Sequence, residues 1–443
     1  MTIRDRLTKP LTRSLIVLAL GIQVLNLQAN EAKRRWEIMN QIRRDKFDII
    51  LPQVMRENRI DMWITLMREG NYGPLYHDLG GGYVSDFGFY IFFDPGEGRI
   101  ERLALGIGGY ELQRCGAYDY FGPASELKKV VEERDPQRIG VNMSEKIGAA
   151  DSLSHTGYLH LRKTLGVPYA DRLVSAEKLV SDFRSRRVAS EIVVFGQAGE
   201  ISREIAELAL SNEVITPGVT MLEDVAWWIK DRLLEKGLEA SFGLPSIYIT
   251  GPSGIEASSN RRIIQRGDLI MIDWGVGLMN FYTDMKRMAY VLKEGETQAP
   301  AGIQNAFDQA VKVREVIRRN IEVGRTAAET LEILNQKVTE AGFAVMKEFN
   351  RPTDTPQTEV IIGCHSVGNW GHGIGPSIAW FNPQRLTFTI QPTNMFVIEF
   401  FAYTAAPEWG GAKVRIPLED DAIVTANGVE WLYPIADRIL LVR

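Results

Sequence analysis

Acidic residues at the ends of apolar, strand-like segments are the clearest chemical signal in the sequence. Residues 269–273 form one such segment that ends in Asp273, and Asp284 follows a short glycine-containing stretch. A hairpin centred between Leu278 and Met279 would put Asp273 opposite Asp284 on one face. Two carboxylates held together in apolar surroundings require a cation, and hard divalent metals prefer oxygen ligands. The pattern therefore predicts a metal site, and a bridging carboxylate pair suits a centre of two ions.

Three more side chains with metal-binding or proton-transfer chemistry follow along the chain. His372 lies among glycines in residues 371–375, where the missing side chains let the backbone approach a ligand closely. Glu399 interrupts the apolar run 396–401, and Glu419 ends another strand-like segment. Taken singly, they also fit a hydrogen-bonded loop histidine, half of a buried ion pair and a solvated strand end. Their succession after two aspartates favours a shared site.

The composition limits what such a site can be built from. The chain has 443 residues, 45% of them hydrophobic, which suits two or three domains of about 150 residues each. A net charge of -5 gives no electrostatic reason to expect nucleic acid as a partner. With only Cys115 and Cys364, a thiolate zinc cluster and a disulfide scaffold are both excluded. Because there are only five histidines, metal or proton-transfer chemistry must depend mainly on carboxylates.

Residues 1–30 have the pattern of an export signal or N-terminal anchor. Basic residues up to Arg13 precede an apolar run over residues 15–27, and small or polar residues follow it. The run is shorter than the ~20 residues that a membrane span needs. We expect export to the periplasm or the medium, or tethering at the membrane if the segment is not cleaved. A buried amphipathic helix is the structural alternative.

Two regions follow this segment. Residues 31–183 alternate strand-like and helical stretches, with buried strands expected at 62–66 and 89–93 and a helix at 125–134. No recognisable catalytic motif lies in this region. A run of arginines then leads into a long amphipathic helix, which indicates a boundary. The sequence predicts a smaller α/β domain over 31–183 and a second domain over 184–443.

The second region carries a weak internal repeat. Residues 218–223 and residues 324–329 each open a helix with a Thr-x-x-Glu capping box, in which hydroxyl and carboxylate satisfy free backbone amides. Each helix ends near a glycine, Gly237 or Gly342, that suits a left-handed cap. Matching starts and ends indicate duplication. We expect two related α+β halves with the site in a cleft at their junction.

These features together resemble a known family. The residues that match, in order, the metal ligands of the pita-bread metallohydrolases are Asp273, Asp284, His372, Glu399 and Glu419. That family includes methionine aminopeptidase, aminopeptidase P, prolidase and creatinase. The resemblance covers roughly residues 183–443, and the α/β domain ahead of it is similar to the arrangement in the last three. It implies an α+β fold with a C-terminal pita-bread domain of internal two-fold duplication, preceded by a smaller α/β creatinase-type N-terminal domain.

The resemblance also implies an activity. In this family two divalent metal ions, often manganese, cobalt, iron or zinc, bridge a hydroxide that attacks an amide carbon, and we expect manganese here. The glutamate that matches Glu399 is both a metal ligand and the general base. The first expectation is therefore a hydrolase of the Xaa-Pro aminopeptidase or prolidase type. It would act on a small peptide and, like relatives with this N-terminal domain, pair as a homodimer.

Departures from the family pattern keep other functions open. Family peptidases usually place a histidine seven residues after the ligand histidine, where this chain has Ala379, and another before the first aspartate, where residues 255–260 have none. Phe400 follows Glu399, where the family commonly has proline. Each lost donor to a developing oxyanion would cost about 2 to 4 kcal/mol of transition-state stabilisation. The alternatives are a creatinase-like hydrolase or lyase acting on a small non-peptide molecule, and a metal-binding relative without turnover.

Four residues are candidates for supporting roles. His365, in a His-Ser-x-Gly run comparable to that of creatinase-type sequences, could replace a missing catalytic imidazole, or it is a loop histidine bonded to backbone. His77, in a glycine-rich stretch, could enter the cleft from the N-terminal domain or across a dimer, although such a histidine is usually only local. Arg415 and Glu256 are candidate polar contacts for substrate.

Overall fold

The computed structural model describes residues 30–251, 254–257, 261–349 and 352–443. The predicted export segment, except for Asn30, lies outside the described residues. The side chain of Glu256 and residues 258–260 lie outside them as well. In the part of the chain that is described, no helix has both the length and the apolar character needed to cross a membrane.

The N-terminal region is built on a six-stranded sheet. Its strands are β1 (Met62–Arg68), β2 (Tyr83–Phe93), β3 (Glu101–Gly108), β4 (Tyr120–Gly122), β5 (Ile139–Val141) and β6 (Leu173–Ser175). They lie in the order β4-β3-β2-β1-β5-β6, with β1, β2 and β3 antiparallel and the outer strands added in parallel. Successive side chains of β1 point to opposite faces, so Met62 and Ile64 pack in one core while Trp63 and Met67 pack in another.

Helices cover both faces of this sheet. They are Glu31–Asp45, Leu51–Glu57, Tyr76–Leu79, Tyr110–Gln113, Leu127–Arg134, His155–Leu165 and Glu177–Ser185, with a π-helical segment Lys46–Ile50 between the first two. The strands predicted at 62–66 and 89–93 fall within β1 and β2, and the helix predicted at 125–134 is Leu127–Arg134. The boundary predicted between residues 183 and 184 falls inside a helix, Glu177–Ser185, and stays a prediction.

The C-terminal region contains two main sheets and a small one. Its strands are β7 (Glu239–Ala240), β8 (Ser246–Gly251), β9 (Gly254–Ala257), β10 (Leu269–Trp274), β11 (Val276–Leu278), β12 (Phe281–Tyr282), β13 (Met285–Val291), β14 (Ala344–Val345), β15 (Glu359–Ser366), β16 (Ser377–Ala379), β17 (Met395–Val397), β18 (Phe400–Ala405), β19 (Lys413–Leu418), β20 (Asp421–Thr425), β21 (Gly428–Trp431) and β22 (Leu440–Val442). One sheet has the order β22-β13-β10-β8-β9, and the small one has β12-β11-β7. The largest runs β19-β18-β15-β17-β20-β21, with β14 and β16 also paired to β15.

Paired helices bury the apolar faces of these sheets. The helices are Ala189–Ala209, Leu222–Glu235, Ala301–Asn320 and Ala327–Glu340. Val225 of the second helix packs with Ile270 and Ile272 of β10 in one core. Phe307 of the third packs with Phe400 of β18 in another. The other face of β10 contributes Leu269 and Met271 to the core that contains Phe400, so this second core joins the two sheets.

Repeated hydrogen bonds support the predicted duplication. The Gly218 amide donates to the Ile264 carbonyl at 2.7 Å, and the Gly324 amide donates to the Ile390 carbonyl at 2.9 Å. The loops that follow repeat as well, since the Gln265 amide donates to the Asp268 side chain and the Gln391 amide donates to the Asn394 side chain. Asp273 follows Asp268 at the same spacing as Glu399 follows Asn394. These two carboxylates are therefore equivalent positions of the two halves.

One of the two predicted capping boxes is correct and the other is displaced. At the second helix start, Thr326 and Glu329 exchange the expected bonds, with the Thr326 amide 2.8 Å from Glu329 Oε2. At the first, the cap is Met221 and its amide donates to Asp224 at 2.8 Å, one position beyond the predicted pair. Thr220 instead accepts a hydrogen bond from the Thr216 amide, which fixes the preceding turn. Both end glycines have the predicted left-handed φ, 60° and 91°.

Candidate active site

The hairpin that carries the two aspartates has a different register from the predicted one. Asp273 of β10 pairs with Lys286 of β13, and Leu278 pairs with Phe281. The turn therefore lies at Met279, whose φ of 59° is left-handed, and the following Asn280. The expectation that Asp273 lies directly opposite Asp284 is wrong by two residues. Because side chains alternate along a strand, a shift of two keeps Asp284 on the predicted face and places Lys286 there too.

Strands of the second half bring the two glutamates to the same place. Glu399 lies between β17 and β18, and its carbonyl accepts from the Gly363 amide of β15 at 3.0 Å. Glu419 follows β19, and its carbonyl accepts from the Lys286 amide at 3.1 Å. A Cβ atom at Gly363 would lie 3.3 Å from Glu399 Oε2, so glycine leaves the space that this carboxylate uses.

The predicted ligands converge, and His365 lies among them. Three overlapping groups each have possible ligand atoms within 4.8 Å of one another: Asp284, His365 and His372; His365, Glu399 and Glu419; and Asp273, Asp284 and Glu419. Every one of the five residues predicted as metal ligands belongs to at least one group. The cluster lies where β10 and β13 of one half meet β15 and the ends of β18 and β19 of the other.

His365, predicted as a substitute imidazole, lies inside this cluster. It is 8% exposed, and its Nε2 atom is 3.8 Å from Asp284 Oδ2, 3.6 Å from Glu399 Oε2 and 3.7 Å from Glu419 Oε1. Its Nδ1 atom is 3.2 Å from the Ser366 carbonyl, and in the neutral tautomer that donates there the lone pair is on Nε2. This orientation is the one expected of a metal-binding imidazole.

His372 lies at the mouth of the cluster. Its side chain is 70% exposed, and its Nε2 atom is 3.8 Å from Asp284 Oδ2. The ring lies near that of His365, with centroids 4.9 Å apart, and near that of Phe242 at 5.2 Å. Partial desolvation, followed by the neighbouring His365, lowers the pKa of His372 to about 4. A neutral imidazole at neutral pH is the form that binds a metal.

Lys286 is the functional residue that sequence reasoning missed. Its ammonium nitrogen is 2.8 Å from Glu399 Oε1 and 3.2 Å from Asp273 Oδ2, and it also contacts Glu419 Oε2. The residue is 4% exposed. The alternation of strand side chains gave a signal for it, because a residue two positions after Asp284 must share its face.

Burial and mutual repulsion dominate the electrostatics of the carboxylates. Burial, followed by Glu419 and Asp273, raises the pKa of Asp284 well above its usual range. Burial raises the pKa of Glu419 to about 7 even though Lys286 opposes the shift. For Lys286, burial works to lower the pKa, but the surrounding carboxylates outweigh it and raise the pKa well above its usual range. The cluster therefore has a surplus of negative charge that a cation would stabilise.

Two buried atoms show where such a cation fits. In the described part of the chain, His365 Nε2 and Asp284 Oδ1 have no hydrogen-bond partner. Buried polar atoms are rarely left in this state, and ion binding is one of the usual reasons. Imidazole nitrogens and carboxylate oxygens are ligands suited to Zn²⁺, Mn²⁺, Fe²⁺ and Co²⁺. The donor set thus fits a divalent ion on the side of the cluster that faces His365.

A buried network holds the ligands in position. Tyr433 donates to Asp421 Oδ2 at 2.7 Å, and Asp421 Oδ1 accepts from the Asp284 amide at 3.2 Å. Arg287 pairs with Asp420 at 2.8 Å, beside Glu419. These bonds fix the backbone next to two of the cluster's carboxylates. Supporting contacts of this kind commonly tune both ligand orientation and affinity.

A second buried network supports the loop that leads to His372. Arg187 donates to Asn369 Oδ1 at 2.9 Å and to Glu191 Oε1 at 3.1 Å. Asn369 in turn donates to the Asn280 carbonyl at 3.1 Å, in the turn between the two aspartates. The loop and the hairpin turn are therefore joined by one arginine-centred network.

Arg415, predicted to contact substrate, lies on β19 and packs against Phe401. Its guanidinium carbon is 4.3 Å from the centre of the Phe401 ring, and the Lys286 ammonium is 5.7 Å from the same ring. Among the described residues, its Nε and Nη1 atoms have no hydrogen-bond partner although they are buried. Phe381 lies nearby, since it and Glu399 approach Gly363 equally closely. Aromatic rings and a buried cation thus border the carboxylate cluster.

His77, predicted to enter the cleft from the N-terminal domain, lies on the short helix Tyr76–Leu79. The His77 side chain is exposed, and its ring packs against Tyr76. It is not among the residues that the described structure gathers in the cluster. Its neighbour Asp78 approaches the site region instead, because it pairs with Arg184 and accepts from Asn369.

Ala379 occupies the position where family peptidases usually have a histidine. It is fully buried on β16 and pairs in register with Gly363, the residue beside Glu399. This chain therefore has a methyl group near the cluster, at the position where family peptidases usually have an imidazole. His365 is the second imidazole that the described residues bring to this place.

Comparison with known proteins agrees with this geometry. Residues 195–426, more than half of the chain, match the family model described as Metallopeptidase family M24. The chain is 23% identical over 296 residues to the Xaa-Pro dipeptidase of Pyrococcus furiosus, covering 65% of this chain and 74% of that protein.

Solved structures show the same fold. The X-Pro aminopeptidase from Thermotoga maritima superposes with a TM-score of 0.62 at 18% identity, covering 88% of this chain and 99% of that one. The Xaa-Pro dipeptidase from Bacillus anthracis gives 0.59 at 19% identity, covering 91% and 99%. The predicted architecture, a pita-bread domain behind a smaller N-terminal domain, is confirmed.

Proposed function

Because the chain belongs to metallopeptidase family M24, we propose that it is a metal-dependent hydrolase of the Xaa-Pro peptidase type. The observation that carries the proposal is that His365 belongs to two overlapping groups of possible metal ligands, one with Asp284 and His372 and one with Glu399 and Glu419. Among the described residues, His365 Nε2 and Asp284 Oδ1 are buried without a hydrogen-bond partner. The expectation of manganese stays a prediction, since these donors suit several divalent ions.

The mechanism follows from how Glu399 is held. A divalent ion at this position would supply a Lewis acid that activates water and polarises the scissile carbonyl. Lys286 holds Oε1 of Glu399, which leaves Oε2 facing His365. Burial tends to raise the pKa of Glu399, but Lys286 and His365 outweigh it and lower the pKa. Glu399 is thus ionised and can accept the proton from the attacking water and pass it to the leaving amine.

The substrate class follows from the surroundings of the cluster. Phe401 and Phe381 offer aromatic surface to an apolar side chain such as the proline ring. Arg415 keeps two buried guanidinium nitrogens without partners in the described chain, and a planar guanidinium suits a carboxylate. We therefore favour a short peptide whose C-terminal carboxylate reaches Arg415. The relatives named Xaa-Pro dipeptidase agree with that choice.

The test is a hydrolysis assay on the purified full chain loaded with Mn²⁺, with Asp284→Ala as the control. The substrates are Xaa-Pro dipeptides, longer Xaa-Pro peptides and small amidino compounds. Cleavage before proline that disappears in the control supports the proposal. Bound metal without turnover on any substrate would overturn it and favour a metal-binding relative.

A creatinase-like reaction on a small non-peptide molecule is the second candidate. Ala379 favours this candidate, because its methyl group beside Gly363 takes the position from which family peptidases direct an imidazole at the substrate. Hydrolysis of the amidino compounds alone, in the same assay, would support it. Export and pairing as a homodimer also stay proposals, and cell fractionation and light scattering test them.

A further inference from the structure

We propose that the ammonium group of Lys286 takes the place of one of the two divalent ions expected in this family, so that the centre holds a single metal ion. The residues that remain to bind the ion are Asp284, His365, His372, Glu399 and Glu419. The inference rests on the proposed function, because it concerns the same site. It changes the number of ions and the role of Asp273.

The two glutamates divide their oxygen atoms between the lysine and the position proposed for the ion. Oε1 of Glu399 and Oε2 of Glu419 contact the Lys286 ammonium. Oε2 of Glu399 and Oε1 of Glu419 lie 3.6 Å and 3.7 Å from His365 Nε2. Each carboxylate therefore bridges two positive groups, one of which is the ammonium.

The available space admits the lysine or a metal ion beside Asp273, and not both. A metal bound there would lie about 2.1 Å from the carboxylate oxygens. The Lys286 ammonium is already 3.2 Å from Asp273 Oδ2 and 2.8 Å from Glu399 Oε1, which are hydrogen-bond distances. Two cations sharing these oxygens would lie in near contact in a buried site, where charge repulsion is poorly screened. The ammonium thus occupies the space next to Oδ2 of Asp273 that a second ion would need.

The charges of the cluster are compatible with a single ion. The cluster contains the carboxylates Asp273, Asp284, Glu399 and Glu419. Their four negative charges are nearly balanced by Lys286 and one divalent ion, which together supply three positive charges. Lysine with two divalent ions would supply five, one more than the carboxylates provide.

His365 supplies the ligand that a single-ion site needs. Its Nε2 atom has no hydrogen-bond partner among the described residues, and the ring is more than nine-tenths buried. Two ligands about 2.1 Å from one ion are about 3.4 Å apart at a tetrahedral angle. The 3.6 to 3.8 Å separations from His365 Nε2 to Asp284 Oδ2, Glu399 Oε2 and Glu419 Oε1 lie close to that value. One ion among these atoms would satisfy them together.

The test measures bound metal directly and needs no catalytic activity. The full chain is equilibrated with excess Mn²⁺, freed of loosely bound ion, and analysed by elemental mass spectrometry and electron paramagnetic resonance. We expect one Mn²⁺ per chain and the six-line spectrum of an isolated ion. Lys286→Ser, which removes the ammonium and opens space, should bind two ions with an exchange-coupled spectrum. Lys286→Met, which removes the charge and fills the space, is the matched control and should still bind one.

Several results would overturn the inference. Two tightly bound ions in the unmodified chain would do so without any variant. A Lys286→Ser protein that folds and still binds one ion would also contradict it. Asp273→Asn should weaken Mn²⁺ binding less than about 10-fold, whereas Asp284→Asn should weaken it by more than about 100-fold. Equal losses in those two variants would contradict the assignment of Asp273 to the lysine.

These measurements separate the inference from the proposed function. A chain with one ion that hydrolyses none of the tested substrates would keep the inference and remove the function. A chain with two ions that cleaves Xaa-Pro peptides would do the reverse.

Discussion

Replacing Lys286 by methionine removes a buried positive charge while keeping most of the side chain's volume. In the native chain the ammonium contacts Asp273, Glu399 and Glu419, and the residue is 4% exposed. In the metal-free variant Glu419 stays buried, and Glu399 and Asp273 stay largely buried, without their shared cation. Breaking a buried charge pair by removing one partner costs about 3 to 5 kcal/mol. We expect Lys286→Met to lose that much unfolding free energy.

Thermal unfolding in the presence of a chelator measures this loss. For domains of ~150 to 250 residues, 1 kcal/mol shifts the melting temperature by about 2 to 4 °C. The expected decrease is therefore about 6 to 20 °C for the transition that reports the C-terminal region. Chelator is essential, because a bound divalent ion would partly compensate the same carboxylates.

The loss should also depend on pH, in a direction that the charges determine. Without the ammonium, the carboxylates have higher pKa values in the folded than in the unfolded protein. A folded state that binds more protons loses stability as pH rises. The lysine itself keeps its charge below its unfolded pKa of about 10.4, so its own contribution is constant between pH 5 and 8. The difference between native chain and variant should be larger at pH 8 than at pH 5.

Lys337→Met is the matched control. Lys337 pairs with Glu340 at 2.7 Å on an exposed helix surface. Exposed pairs of this kind contribute about 0.5 kcal/mol or less, so the control should melt within about 2 °C of the native chain. If Lys286→Met also melted within that margin in chelator, the lysine would not be compensating buried carboxylates, and the charge argument for a single ion would fail.

Three further predictions concern the same cleft. The metal-free chain should lose stability as pH rises from about 4.5 to 7. The reason is that burial raises the pKa of Glu419 to about 7, so the folded state binds a proton that the unfolded state has released. Unfolding in chelator across this range measures the effect, and a stability that does not change with pH would contradict it. Arg415→Met should raise KM for Xaa-Pro dipeptides on the order of 10- to 100-fold and leave KM for the corresponding peptide amides unchanged, which steady-state kinetics can compare. Gly363→Ala places a Cβ atom 3.3 Å from Glu399 Oε2 and should lower kcat about 10-fold or more with little change in melting temperature.

The order of four acids and His372 along the chain was enough to predict that these side chains converge, although Lys286 was not among the predicted residues. Acids that end apolar strands are costly unless they are paired or bind a cation, and this argument holds whatever the exact fold. The internal repeat was also visible, because helix caps depend on short-range sequence. Its first box was nevertheless displaced by one residue, since Met221 and Asp224 form the cap and Thr220 has a tertiary role.

The hairpin register could not be predicted from the sequence, for a different reason. Moving the centre of the turn by one residue, from between Leu278 and Met279 to between Met279 and Asn280, shifts each cross-strand partner by two and keeps the same side chains on the same face. The observed turn requires a left-handed residue at Met279, a conformation that a sequence pattern does not favour for methionine. The alternation of polar and apolar residues therefore fixed the face of Asp284 but left its cross-strand partner undetermined.

That undetermined partner decides the chemistry of the site. In the predicted register Asp273 faces another carboxylate, and both would require metal. In the observed register it faces Lys286, and its charge is already matched within the chain. Asp273 and Glu399 occupy equivalent positions in the two halves, yet only the first half supplies a lysine from the neighbouring strand. The duplicated fold thus offers two similar carboxylates with different contacts: Asp273 contacts the ammonium through Oδ2, while Glu399 contacts the ammonium through Oε1 and faces His365 through Oε2.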